Sequence, residues 1–144
     1  MISIRPYQQT DEGSVIALWN AAGIARPWYD MPADIREKIK RDPELFLLAI
    51  DDGRVIGSLM GAYDGHRGWL HHLAVAHDRQ RQGIGSALVR EVEAAMAAIG
   101  VGKENLQVRT GNLGVIDFYS KLGYGDDQVI GLGKWLTPPE RGSS

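Results

Sequence analysis

The sequence predicts an α+β (mixed α/β) domain on one central, mostly antiparallel sheet of about six to seven strands flanked by about four helices. Three observations predict it. A meander of three strand-like runs fills 45–75, joined by the turns DDGR and DGHRG. A helical stripe follows, with Ile84, Leu88, Val92, Ala95, Met96 and Ile99 spaced by three and four. Beyond it strand-like and helix-like runs alternate, which asks for one strand–helix–strand crossover between 69 and 109.

Taken in order, residues 2–6 read as a first strand, and Thr10-Asp11-Glu12 offers a cap ahead of Val15, Ile16, Leu18 and Trp19 in a helix ending near Gly23. The stretch 22–35 carries two prolines and adjacent aromatics and reads as an irregular connection before a polar helix at about 33–41. LFLLAI (45–50) and VIGSLMGAY (55–63) form a hairpin, and WLHHLAV (69–75) adds its third strand. The stripe helix stops at Gly100. ENLQVR (104–109) suits a strand, Val115, Phe118, Tyr119 and Leu122 a helical face stopped by Gly123, and a last strand or pair is expected between Tyr124 and Trp135.

At 144 residues the chain has the size of one domain, expected over 1–135 with a flexible tail at 136–144. A net charge of -2 gives no general pull toward nucleic acid or an anionic membrane, so any anion site must be local. No apolar run approaches the roughly 20 residues that cross a bilayer, and a soluble cytoplasmic protein is expected. The absence of cysteine excludes thiolate metal sites and an acyl-cysteine intermediate. Nor do the histidines suggest metal. His71 and His77 lie roughly 20 Å apart along an extended strand, and His71 and His72 should diverge.

The run DRQRQGIGSALV (78–89) is the candidate site. It lacks the lysine of a nucleotide-hydrolase phosphate loop and the third glycine of a dinucleotide fingerprint. What remains is strand, charged turn, Gly-x-Gly and helix. Unpaired amides of the first helical turn at the positive end of the helix dipole form an anion site, and glycines let a ligand approach the backbone. The same glycines could merely make a turn, and these residues alone leave both readings open.

Two separate stretches resemble one family. LAVAHDRQRQGIGSALV (73–89) resembles the acetyl-CoA motif Q/R-x-x-G-x-G/A of the GNAT acetyltransferase superfamily, and NLGVIDFYSKLGY (112–124) resembles its N-x-x-a-x-x-F-Y-x-k-x-G-F/Y block. The order of elements over about 1–135 fits as well, and RPW with YDGHRG is similar to the small bacterial YpeA-like branch. The resemblance implies a sheet splayed between its fourth and fifth strands. It implies acetyl-CoA as cosubstrate, with no metal. Backbone amides of Gln80, Arg81, Gln82, Gly83, Ile84, Gly85 and Ser86 would hold the CoA pyrophosphate. Leu73, Ala74 and Val75 would pair with the pantetheine arm, which Asn112 would also contact, and Arg79 and Arg81 could reach the 3′-phosphate.

Acetyl transfer from a thioester to an amine needs a neutral amine, a stabilised tetrahedral oxyanion and a proton for the departing thiolate. Without cysteine, direct attack in a ternary complex is expected. The resemblance makes Tyr119 the acid that reprotonates the thiolate, whereas its position beside Val115 and Leu122 alone suggests a core aromatic. For the base, His71 and His72 lie on the fourth strand, where they should face opposite sides; His72 is preferred if no bulge intervenes. Acceptor specificity should come from Trp28, Tyr29, Asp30 and Asp34 in one irregular segment and Asp64, His66 and Arg67 in another. The partners expected are an amine acceptor, no nucleic acid and no membrane, on a monomer or homodimer. The competing reading is a non-catalytic acyl-CoA-binding or sensing module.

Overall fold

A computed structural model describes residues 1–138. They form two compact units, Met1–Asn105 and Leu106–Pro138. The sheet comprises β1 (Ile2–Pro6), β2 (Phe46–Asp51), β3 (Arg54–Tyr63), β4 (Gly68–Val75) and β5 (Glu104–Leu106), side by side in that order. Neighbours from β1 to β4 are antiparallel. The β2–β3 hairpin closes at Asp52 and Gly53, whose φ values of 52° and 79° are the two positive angles of a turn whose twist matches its strands.

Helices cover both faces of the first unit. In α3 (Ile84–Ala98) the expected stripe is buried through Ile84, Leu88, Val92 and Met96. It packs so closely on β3 that a Cβ at Gly61 would lie 2.7 Å from Val92 Cγ1, which is why that strand position carries glycine. On the opposite face, α1 (Glu12–Ala21) buries Val15, Leu18 and Trp19, and the Trp19 indole donates to Ser58 Oγ of β3 at 2.9 Å. Burying Trp19 takes one polar atom out of water, and this bond satisfies it. Asp11 ahead of α1 accepts from the Gln8 amide and takes both guanidinium nitrogens of Arg5, at 2.8 and 3.0 Å. The arginine holds its carboxyl below the usual aspartate range. In α2 (Met31–Ile39) the N-cap Asp30 accepts from the Ala33 amide, so the helix starts earlier than the polar run suggests.

The second unit is organised around α4 (Leu113–Lys121), capped at its start by Asn112 Oδ1 accepting from the Val115 amide. Its end is a paired cap: the Gly123 amide donates to the Ser120 carbonyl and the Tyr124 amide to the Tyr119 carbonyl, each at 3.0 Å. Gly123 has φ 97°, the left-handed conformation this ending requires. The rings of Tyr119 and Tyr124 meet edge to face at 5.4 Å across that cap.

The sheet has five strands among the described residues, not six or seven. β5 ends at Leu106, and residues 124–135 contain no strand. Local composition misled there. Val129, Ile130 and Leu132 suit a strand, but strands exist only where a ladder partner satisfies their backbone, and Gln128 at φ 56° bends the chain just before the run. The flexible tail expected at 136–144 lies, from residue 139 on, outside the described residues. No helix among them is long and apolar enough to cross a membrane, and none of their side chains group as a metal site.

Candidate active site

In the first unit β4 ends at Val75 and residues 76–83 turn the chain into α3. Arg81 and Gly83 within that turn have φ values of 65° and 80°. Alternating left-handed residues curl a backbone so that its amides converge, which is the geometry of an anion-binding nest. Gly83 is the N-cap of α3 and lends no side chain to it. The first helical amide with an intrahelical partner is that of Ala87, which donates to the Gly83 carbonyl at 3.0 Å, so those of Ile84, Gly85 and Ser86 lie within the unpaired first turn. A Cβ built on Gly83 meets nothing within 4 Å. The glycine therefore serves both readings raised by the sequence: its φ makes the turn, and open space lies over it.

Side chains around this turn fix the loop. Gln80 Nε2 reaches back to the Val75 carbonyl at 3.4 Å. Arg79 pairs with Asp51 at 2.6 Å, which draws it away from a phosphate role. Arg54 grips Asp78 through both nitrogens, at 2.8 and 2.9 Å. Arg81, Gln82 and Gly83 are exposed, Ile84 and Gly85 buried, and Ser86 half-buried. On β4, Ala74 is buried opposite Ser58, while Leu73 and Val75 are half-buried.

β4 departs from the regular strand that the histidine argument required. His71 opposes Met60 and Ala74 opposes Ser58, so β4 advances three residues where β3 advances two. The extra residue is a β-bulge, and His72 within it has φ 56°. The expectation that His71 and His72 face opposite sides is thereby overturned. His71 shares its face with Met60 and hence with Ser58, whose hydroxyl meets α1, and the His72 ring lies 4.8 Å from Trp19. Both histidines face the α1 side. Ser58 Oγ, besides accepting from Trp19, approaches the His72 carbonyl at 3.3 Å, so one buried hydroxyl ties helix to bulge. Nothing in the sequence around His72 announces this; the pin comes from residues 14 and 53 positions away.

His72 also packs 5.4 Å from the Tyr29 ring, and its Nε2 is buried with no hydrogen-bond partner. Burial, and less so the neighbouring His71, push its pKa down to about 4. The consequence for stability has a definite sign. Below its ordinary value of 6.5 the unfolded chain takes up a proton that the folded chain refuses, so stability drops as pH falls from 6.5 toward 4. The wild-type chain should lose about 2 kcal/mol from this group between pH 7 and pH 5. His72→Asn, which tolerates the left-handed backbone, should remove that component of the slope in urea unfolding at the two pH values. An unchanged slope would mean that His72 is not held neutral.

Of the acceptor-side aspartates, two are committed to local structure. Asp30 caps α2, and Asp64 accepts from the His66 and Arg67 amides and from the Trp69 indole. Asp34 lines an open cavity of about 370 Å³ with Lys38, Asp42 and Tyr63. Partial burial, with Asp30 nearby, raises its carboxyl above the usual range, and burial lowers the Lys38 amine, whose Nζ donates to the Gly61 carbonyl. Glu104 was not singled out from the sequence. Both its carboxylate oxygens are buried without a hydrogen-bond partner, and burial, with Glu93, raises it to about 7. It lies over Gly68 on the α3 side of the sheet, away from the histidines.

In the second unit the Asn112 side chain is engaged in capping α4. Tyr119 is buried, its ring edge to face with Phe118 at 5.0 Å and Tyr124 at 5.4 Å. Burial alone pushes its phenol up to about 12, so it keeps its proton throughout the physiological range.

The sequence profile described as Acetyltransferase (GNAT) family matches residues 12–124. The chain belongs to that family. Among its GNAT relatives, an acetyltransferase of Yersinia enterocolitica is 44% identical over 135 residues, covering 94% of this chain and 96% of the relative. One from Pectobacterium atrosepticum is 43% identical with the same coverage. Among solved structures, Ard1 from Thermoplasma volcanium superposes with a TM-score of 0.72 at 26% identity, over 85% of this chain and 81% of its own. An aminoglycoside 6'-N-acetyltransferase from Acinetobacter haemolyticus gives 0.73 at 18% identity, over 93% and 99%, a likeness of fold alone. The GNAT match spans both stretches that carried the resemblance, and so makes this chain a member of an acyltransferase family.

Proposed function

We propose that the chain is a cytoplasmic, acetyl-CoA-dependent N-acetyltransferase whose single catalytic domain spans 1–135. It moves the acetyl group directly from the CoA thioester to an amine. The observation that carries this is the unpaired first turn of α3 beside open space at Gly83. In this reading the backbone amides of residues 81–86 hold the pyrophosphate. The edge of Leu73, Ala74 and Val75 pairs with the pantetheine arm, where β4 and β5 part. What supports the parting is length, since β5 has three residues against eight in β4. Asn112 contacts the same arm, and its cap to Val115, at 3.3 Å, leaves its amide nitrogen to donate.

The amine nitrogen attacks the thioester carbonyl, the C–S bond breaks as the tetrahedral intermediate collapses, and the thiolate takes the Tyr119 proton. His72 enters as a neutral imidazole. A group with a pKa near 4, its Nε2 buried between Trp19 and Tyr29, takes a proton poorly from an ammonium of pKa ~10, so in this reading the amine loses its proton to water and His72 is not the base.

Calorimetry with CoA, followed by free-thiol release from acetyl-CoA across a panel of amines, tests the reading. Binding with stoichiometric thiol and acetyl-amine is expected for at least one amine. Binding without turnover on any amine would favour the sensing module, and no binding would overturn both.

A further inference from the structure

The face of the sheet that carries both histidines also carries an amine of the chain's own. Lys38 projects from α2, and its Nζ donates to the Gly61 carbonyl of β3. The cavity beside it is lined in part by Ala62, which opposes Trp69, whose ring stacks on His71 at 6.4 Å, so the amine and the histidines share a side. Burial, and then the Lys38 charge, hold His71 below its ordinary value, as that proximity requires. Gly61 pairs with Leu70, two residues before His72, so the amine rests roughly 7 Å along β4 from the bulge. No carboxylate among the described residues forms an ion pair with Lys38, although Asp34 stands one helical turn before it. Burial outweighs the pull of Asp42 and Glu44 and lowers the amine, so more of it is neutral than in an exposed lysine.

We propose that Lys38 is acetylated by its own chain, an inference that rests on the N-acetyltransferase reading above. The ammonium gives one proton to water, Nζ attacks the thioester carbonyl of acetyl-CoA, and the C–S bond breaks. CoA leaves as the thiol, the second proton shed by the nitrogen balancing the one the thiolate takes up. A flexible four-carbon stem beside open space covers the distance to the bulge by bond rotation. The site also suits the product. Acetylated Lys38 keeps one N–H for the Gly61 carbonyl and loses the charge that burial disfavours, and the cavity of about 370 Å³ has room for the acetyl group. Because Lys38 is half-buried against its own β3, another copy's cleft does not reach it, and the transfer is intramolecular.

Incubation with acetyl-CoA and no added amine, read by peptide mass spectrometry and free thiol, tests this. One acetyl group per chain is expected at Lys38, at a rate unchanged by dilution and at least about tenfold faster than at Lys40, which is exposed at the end of the same helix. Gly83→Val, which blocks the CoA site, should leave Lys38 unmodified. Lys38→Arg, which keeps the charge and a donor for Gly61, should release no thiol by itself and still acetylate free amines. Thiol release with free amines while native Lys38 stays unmodified would overturn the inference and leave the proposed function standing, whereas loss of both reactions would overturn the two together. Acetylation of Lys38 that persists in a Gly83→Val chain unable to bind CoA, or that runs no faster than at Lys40, is spontaneous chemistry and would also overturn the inference.

Discussion

Gly83→Val should abolish CoA binding, by at least about 100-fold, and leave the domain folded. The two halves of that statement have separate physical causes. Gly83 sits at φ 80°, where a side chain costs about 1–2 kcal/mol, yet a Cβ there meets no neighbour within 4 Å. A domain with an ordinary stability of about 5–15 kcal/mol survives that cost. The space into which valine projects is the space beside the free amides of Ile84, Gly85 and Ser86, so its bulk stands where an anion must approach. Gly83→Ala carries the same backbone strain with less bulk, and should fall between. On the proposed reading, in which backbone amides bind the pyrophosphate, Gln82→Ala should change the affinity by less than about threefold, since the Gln82 side chain is exposed. Calorimetry with CoA, beside thermal unfolding, reads both effects. A Gly83→Val chain that binds CoA normally would reduce this stretch to a turn.

What the sequence made legible is what local chemistry decides. The Asp52-Gly53 turn, the stripe of α3 and the glycine ending α4 at 123 each follow from residues adjacent to the feature they cause. The start of α3 belongs with them, because turn glycine and unpaired amides lie within four residues. The bulge at His72 was not legible, because a hydroxyl on the neighbouring strand and an indole on a helix fix it. Strand alternation therefore placed the two histidines on opposite faces when they share one. The missing strand at 124–135 fails for a related reason. β-propensity describes how a side chain suits a sheet, whereas the ladder partner is non-local, and within one described chain that run has none.

Tyr119→Phe should lower kcat by about 10²–10⁴ while changing the CoA dissociation constant by less than about threefold. Its environment suits an acid rather than a base. With its phenol raised to about 12, Tyr119 is fully protonated at neutral pH, so no fraction of the enzyme is lost to the wrong ionisation state. A proton passing from a phenol raised to about 12 to a free alkyl thiolate in water would run uphill. Burial that raises the phenol raises a desolvated thiolate in the same direction, which narrows that gap, and the hydrogen bond donated to the developing charge supplies the rest. The substitution separates chemistry from packing. Phenylalanine keeps the edge-to-face contacts with Phe118 and Tyr124, and the bonds that end α4 are made by backbone, so thermal stability should hold within about 1 kcal/mol. A merely structural tyrosine would leave kcat intact, and full activity in the variant would strip Tyr119 of the acid role. If Tyr119 is the acid, the native pH–rate profile should show no falling limb from this phenol until well above pH 10, since the group does not titrate below that.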